Sequence, residues 1–259
     1  MRLVFLGTGT SYGVPQIGCA CRTCTSADAR DRRTRSAALI ESGGRRLLID
    51  TPPELRLQLV AAGVASLDAV LFTHAHADHV HGIDDLRAIS VRQRASLDVY
   101  GAAETLTELA RRFPYIFDHT PPQPGTSKPQ LAPHTLEPDR ETTIAGMAVR
   151  AVPLPHGADT VLGFRVGAMA YLTDAKAVPE RARAQLAGLE VLVLNALLPR
   201  PHPLHLSIPE AVAVAQQIGA RQTFLTHLTH DSPHAELAAR LPPAIAPAYD
   251  GLVVEVGAE

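Results

Sequence analysis

One short run of residues, His74-Ala75-His76-Ala77-Asp78-His79, limits the fold and chemistry of this chain more than any other feature. The run directly follows the apolar segment 69–73, so it lies in the turn that leaves a buried strand. An extended backbone there points its first two histidines to the same side, and the next turn can bring the aspartate and last histidine around a second point. Imidazole and carboxylate are ligands for Zn, Mn or Fe. The run therefore predicts a centre of two metal ions.

Further ligands for such a centre are offered by three other strand ends. His156 lies in a tight turn after a strand, Asp174 ends an apolar run, and His227 repeats the strand-Thr-His pattern of His74. Each residue alone is more typical of a cap or a surface group, but together they supply the ligands that two metals require. Asp50, at the end of another apolar run, has two open interpretations. It either orients a ligand imidazole or caps a helix.

Apolar runs and helical patterns alternate along the chain, which predicts the α/β class. The predicted strands are Leu3–Leu6, Ala37–Glu41, Arg46–Ile49, Ala69–Phe72, Leu97–Tyr100, Ala148–Val152, Gly163–Val166, Ala170–Thr173, Val191–Leu194, Gln222–Leu225 and Leu252–Val256. The predicted helices are Pro53–Ala62, Ala102–Arg112 and a helix from Ser207 to Ile218. Two sheets with helices outside them account for this order, as a four-layer αββα sandwich that forms a single domain over residues 1–259.

A proline-rich segment, residues 119–138, is predicted to be a surface loop or lid because it holds six prolines and few large apolar side chains. With the residues before it, the predicted loop spans 113–138. Phe113, Tyr115 and Phe117 there either stack on a base or sugar, or pack into the core.

Charge and hydropathy exclude several function classes. The net charge is -2, and no polybasic patch or long apolar segment stands out. We expect neither long nucleic acid nor a membrane as a partner. The apolar run near residue 1 is too short for a signal peptide, so the expected location is the cytoplasm.

All three cysteines, Cys19, Cys21 and Cys24, lie within six positions. An odd, crowded set of cysteines is a poor disulfide framework and favours a metal site.

These motifs resemble those of the metallo-β-lactamase superfamily, whose signature is His-x-His-x-Asp-His. Within it, the chain is similar to the PhnP-like phosphodiesterase branch. The segments that carry this likeness are Gly7–Ser11, Gly13–Pro15, Cys19–Cys24, Gly82–Arg87, Tyr171–Asp174 and Pro247–Gly251. The resemblance covers nearly the whole chain and implies the metallo-β-lactamase sandwich.

The resemblance also implies ligand sets. One active-site metal, Zn or Mn, is expected on His74, His76 and His156. The second is expected on Asp78, His79 and His227, and Asp174 bridges the two. A structural zinc is implied in the Cys-rich loop 13–25, held by the three cysteines and His230, with His234 as the alternative.

The branch further implies a catalytic histidine outside the ligand sets. His205 fits this role, His202 is its rival, and either can also be a plain loop histidine. We expect the helix after His205 to offer its N-terminal peptide dipoles to a phosphoryl oxygen. A homodimer is implied only by the resemblance.

Three functions follow as hypotheses. The first is hydrolysis of a small phosphodiester, such as a cyclic ribose phosphate or a nucleotide-like diester, by a hydroxide held between two metals, with Asp78 and His205 as catalytic residues. The second is transfer-RNA 3′-processing, although the basic arm of such ribonucleases is absent from 119–138. The third is a non-hydrolytic accessory like the pyrroloquinoline-quinone biosynthesis protein B. Hydrolysis of β-lactams is disfavoured.

Overall fold

Two seven-stranded sheets form the centre of the computed structural model, which describes residues 1–118 and 120–257. The first sheet has the order β14-β1-β2-β3-β4-β5-β6, and its strands are β1 Arg2–Gly7, β2 Ala37–Ser42, β3 Arg45–Ile49, β4 Ala69–Leu71, β5 Leu97–Gly101, β6 Leu131–Thr135 and β14 Val253–Glu255. The second has the order β13-β12-β11-β10-β9-β8-β7, and its strands are β7 Glu141–Ile144, β8 Met147–His156, β9 Asp159–Val166, β10 Met169–Leu172, β11 Val191–Asn195, β12 Gln222–Thr226 and β13 Ile245–Pro247.

Each sheet is buried on both faces. Successive side chains of a strand point to opposite sides, so they pack alternately against the other sheet and against the helices. In β1, Leu3 and Phe5 face the second sheet, whereas Val4 and Leu6 lie under the helices on the outer face. The rings of Phe5 and Phe224 meet between the sheets at 5.6 Å. The core between the sheets is otherwise mostly aliphatic.

Helices cover the two outer faces and complete the predicted four-layer αββα sandwich. Those of the first half are α1 Leu55–Ala61, α2 Ala77–Val80, α3 Leu86–Gln93, α4 Ala103–Arg112 and α5 Pro114–Phe117. Those of the second half are α6 Glu180–Ala184, α7 Ile208–Ile218 and α8 His234–Arg240. No helix within the described ranges is both long and apolar enough to cross a membrane.

Every strand and helix predicted from the sequence is present, but the predicted loop is too long. Strand β6 forms the edge of the first sheet inside it, and β7 and β13 were not predicted. Residue 119 of the predicted loop lies outside the described residues. Phe113 and Phe117 pack against the core under α4, which favours the core interpretation of these aromatics. Tyr115 instead donates a hydrogen bond to Asp84 at 2.7 Å.

The topology places the ends of strands from both sheets at one edge of the sandwich. Strands β3 to β6 run parallel, as do β10 to β13. Chain segments that leave β4, β8, β10 and β12 carry the histidines and aspartates of the predicted centre.

Candidate metal centre

The first predicted ligand set is brought together by the fold. His74 and His76 leave β4, and His156 ends β8 in the other sheet. One ring nitrogen from each of the three lies within 4.8 Å of the others. His74 and His156 are buried, whereas His76 is exposed. The set thus spans both sheets and opens to solvent on the side of His76.

The second predicted set lies beside the first. Ligand atoms of Asp78, His79 and His227 also lie within 4.8 Å of one another. Asp174 stands between the sets, with Oδ1 3.3 Å from Nε2 of His79 and Oδ2 3.9 Å from Nε2 of His74. This is the position that the family resemblance implies for a bridging carboxylate.

The donor atoms are arranged to bind divalent cations, and not to form hydrogen bonds with one another. Nε2 of His74 and Nε2 of His79 are buried and have no hydrogen-bond partner. Leaving a buried polar atom unpaired costs about 1–3 kcal/mol. Ligands about 2.0–2.2 Å from one tetrahedral zinc lie roughly 3.3–3.6 Å apart. The 3.3 Å and 3.5 Å separations from His79 Nε2 to Asp174 and Asp78 match that spacing.

Burial and neighbouring charges leave the pKa values of both His74 and Asp174 below their ordinary values. Burial, together with His79 nearby, puts the pKa of His74 well below its ordinary value. Burial by itself raises the pKa of Asp174, but His227 and His79 hold that pKa well below its usual range. The centre therefore keeps its carboxylate charged and His74 neutral, the forms that ligate metals.

Asp50 orients ligands of both sets, which resolves its two interpretations. Its Oδ2 accepts a hydrogen bond from Nδ1 of His79 at 2.7 Å and another from the Thr73 hydroxyl at 2.8 Å. The Thr73 hydroxyl also lies 3.0 Å from Nδ1 of His74. With Nδ1 held in this way, the Nε2 lone pair of each imidazole faces the centre. Asp50 does not cap α1, which begins after Glu54.

Two further positioning contacts were not predicted from the sequence. Nδ1 of His156 donates to the carbonyl of Leu204 at 3.1 Å. Nδ1 of His227 lies 3.1 Å from the hydroxyl of Ser36, which donates to the carbonyl of Gly9. A backbone carbonyl and an isolated serine carry no motif, so nothing in the sequence marks them.

Of the two histidines considered for catalysis, His205 lies at the centre. It is 9% exposed, its Nδ1 is 3.8 Å from Asp174 Oδ2, and its ring stacks on that of His227 at 5.1 Å. Burial, with His227 adding to it, lowers the pKa of His205 to about 3. His202 is more exposed and lies behind His205, with rings 5.2 Å apart.

The expectation that helix α7 offers its N-terminus to a phosphoryl oxygen is wrong. Ser207 and Glu210 form a capping box in which the Glu210 carboxylate accepts from the Ser207 amide. The amide of Ile208 donates to Leu198, and Pro209 has no amide hydrogen. The donors of the first turn are therefore satisfied within the protein.

The three cysteines meet His230, not His234. Sγ of Cys19, Cys21 and Cys24 lies 3.2, 3.5 and 3.5 Å from Nδ1 of His230. These distances suit four ligands around one zinc, for which roughly 3.5 Å is expected. A hydrogen bond from the Cys24 amide lowers the pKa of Cys21 to about 6. His234 begins α8, where its amide donates to Asp31.

Comparison with known proteins identifies the family. A family model described as beta-lactamase superfamily domain matches residues 45–228. A solved structure described as a new diphosphatase from the PhnP family superposes with a TM-score of 0.91 at 37% identity, over 98% of this chain and 97% of that chain. The chain belongs to the metallo-β-lactamase superfamily, in its PhnP-like branch. Its fold supports a metal-dependent hydrolase.

Other relatives of this superfamily member have different names. It is 42% identical over 255 residues to a protein of Porphyromonas gingivalis named octanoyltransferase, covering 97% of this chain and 51% of that protein. The chain therefore spans about half the length of that relative. It is 27% identical to a coenzyme PQQ synthesis protein B of Methylobacterium nodulans, covering 75% of this chain and 72% of the relative. It is 28% identical to a ribonuclease Z of Mycobacterium sp., covering 76% and 78%.

Proposed function

We propose that this chain hydrolyses small phosphodiesters, such as a cyclic ribose phosphate or a nucleotide-like diester, at a centre of two divalent metal ions. The observation that carries the proposal is the convergence of two three-ligand sets on Asp174. A pair of cations suits a reacting phosphoryl group, whose oxygens gain negative charge. The 37% identity to a PhnP-family diphosphatase supports phosphoryl chemistry.

Each side chain of the centre has a defined task in this proposal. His74, His76 and His156 would hold one ion, Asp78, His79 and His227 the other, and Asp174 both. When bound, zinc or manganese lowers the pKa of water and offsets charge on the phosphoryl oxygens. His205, buried, with a lowered pKa and an unpartnered Nδ1, would donate a hydrogen bond from its neutral ring to a phosphoryl oxygen. Asp78 would also hold the attacking water.

The test is turnover of bis(p-nitrophenyl) phosphate by protein loaded with zinc or manganese. We expect His74→Ala to lose at least about a hundredfold in kcat/KM, since removal of a residue that only orients a metal ligand already reaches that size. A matched control is His134→Ala, which removes an exposed histidine paired with Asp98. No turnover by the wild type, or equal turnover by the two variants, would refute the proposal. Phosphoanhydride substrates belong in the same panel.

Processing of transfer RNA fits less well. Within residues 120–130, the only basic side chain is Lys128, and its Nζ donates to the Asp118 carbonyl at 2.9 Å. This segment therefore offers little free positive charge for a phosphate backbone. Cleavage of a precursor transfer RNA by the metal-loaded protein is the discriminating assay.

A non-hydrolytic accessory role is the other alternative. It predicts metal binding without turnover of any diester or anhydride. The same panel therefore separates it from the phosphodiesterase.

A further inference from the structure

The five ligand histidines differ in how their rings are held. Four of them have a ring nitrogen within hydrogen-bond distance of a protein group, and these pairs are His74 with Thr73, His79 with Asp50, His156 with Leu204 and His227 with Ser36. His76 is exposed, and neither of its ring nitrogens makes a hydrogen bond with a residue that the structure describes. A ligand imidazole is normally oriented by a hydrogen bond from its second nitrogen. The direction of the His76 ring must therefore be set in another way.

The peptide groups on both sides of His76 are held instead of its ring. The carbonyl of Ala75 accepts a hydrogen bond from Nη1 of Arg112 at 2.5 Å. The carbonyl of His76 accepts one from the amide of His79 at 3.0 Å. Because a peptide unit is planar and rigid, fixing its carbonyl oxygen also fixes the amide nitrogen of the next residue. The two bonds together set the direction in which the side chain of His76 leaves the backbone.

Arg112 is itself held in place on helix α4. Its Nε donates to Glu108, one turn earlier, at 2.6 Å. Hydrogen bonds from Arg111 and Arg112 lower the pKa of Glu108 to about 2, so this carboxylate is charged wherever the imidazoles are neutral. Leu106 and Leu109 anchor the same helix in the core of the first half. Arg112 thus connects a fixed helix to the turn that carries His76.

The chemistry of Arg112 suits orientation more than stability. Its side chain is 32% exposed and that of Glu108 is 29% exposed, and ion pairs at such exposure add little to the free energy of unfolding. A guanidinium group carries several N–H donors in a rigid plane, so it can bond Glu108 and the carbonyl of Ala75 at the same time. In the described part of the chain, Arg112 is the only donor to that carbonyl.

We infer that Arg112 is a positioning residue for the first ligand set, and that it acts on His76 through the carbonyl of Ala75. The second ligand set does not contain His76, so its ion should not depend on Arg112. The inference rests on the two-metal centre of the proposed function, whichever ester or anhydride that centre hydrolyses.

The test titrates Mn²⁺ into protein stripped of its active-site ions and measures the free ion by electron paramagnetic resonance. Thiolates select softer ions than Mn²⁺, so the titration counts the ions of the histidine and aspartate centre. In Arg112→Met we expect one of the two binding steps to weaken by about tenfold or more, as on removal of other orienting groups, while the second step keeps the wild-type affinity. Arg112→Lys keeps a charged donor and should recover part of the loss.

Two comparisons separate positioning from a general effect on the fold. Arg111→Met is the matched control, since Arg111 also bonds Glu108, at 2.7 and 2.8 Å, but makes no hydrogen bond with Ala75. It should bind both ions with wild-type affinity. In a double-mutant cycle, Arg112→Met should have no further effect on the affinities of a His76→Ala protein, because Arg112 acts through His76.

The outcomes distinguish this inference from the proposed function. Wild-type affinities in Arg112→Met, an equal loss in both binding steps, or a further loss on the His76→Ala background overturns the inference while the two-metal centre stands. A wild-type protein that binds a single Mn²⁺ ion contradicts the two-metal function, and the inference then stands only if Arg112→Met weakens the binding of that ion. A wild-type protein that binds none overturns both.

Discussion

Replacement of Asp50 by asparagine tests how far one buried carboxylate controls the metal centre. Asp50 is fully buried and accepts three hydrogen bonds, from His79 Nδ1 at 2.7 Å, the Thr73 amide at 2.9 Å and the Thr73 hydroxyl at 2.8 Å. An asparagine must turn its NH₂ group toward one side of this arrangement. If it faces His79, donor meets donor, and the imidazole keeps its proton on Nε2, where the metal needs a lone pair. If it faces the Thr73 amide, a backbone donor is left unpaired.

The expected loss is tenfold to a hundredfold in metal affinity, the usual effect of removing such an orienting group, or about 1.4–2.7 kcal/mol. Because the Thr73 hydroxyl also contacts Nδ1 of His74, both ligand sets should bind metal more weakly. Competition with a chromophoric chelator measures the affinity, and circular dichroism confirms folding. Asp98→Asn is the matched control, since it breaks an exposed aspartate–histidine pair of 2.9 Å. A folded Asp50→Asn protein with wild-type metal affinity would refute the reasoning.

Three further predictions concern other parts of the fold. Ser207→Ala removes the capping hydroxyl of α7, and we expect about 1 kcal/mol less stability by urea unfolding; an unchanged midpoint would contradict this. Gly82→Ala places a Cβ 2.1 Å from the carbonyl oxygen of Pro52. The free energy of unfolding should therefore fall by about 1–3 kcal/mol in the same assay. Wild-type stability would show that this contact relaxes. Cys21→Ser should lower the metal content by one ion per chain in elemental analysis, and wild-type content would argue against zinc at the cysteines.

The structure was predicted correctly from the sequence where a residue pattern allows only one arrangement of the backbone. Segments that follow buried strands meet at one edge of a sandwich, so His156, Asp174 and His227 could be assigned to the centre. The unpredicted strands β6, β7 and β13 all lie at sheet edges. Two of them contain proline, Pro133 and Pro247, which edge strands tolerate because one side of the strand needs no hydrogen-bond donor.

The error at the start of α7 has a different cause. Helix N-termini attract anions in general, but whether their amides are free depends on side chains around them. At this helix Glu210 folds back onto Ser207, and the amide of Ile208 finds a carbonyl on another segment. Only the three-dimensional arrangement shows that these donors are taken.

His227 and His230 stand three positions apart and complete two different clusters, one with ligands from residue 78 onward and the other with Cys19, Cys21 and Cys24. The first cluster cannot close before His227 has been synthesised, and the second cannot close before His230. Until then the thiols of the nascent chain remain available to oxidants and to competing ions. A metal ion can therefore meet the complete ligand set of either cluster only after the C-terminal part of the chain has been made.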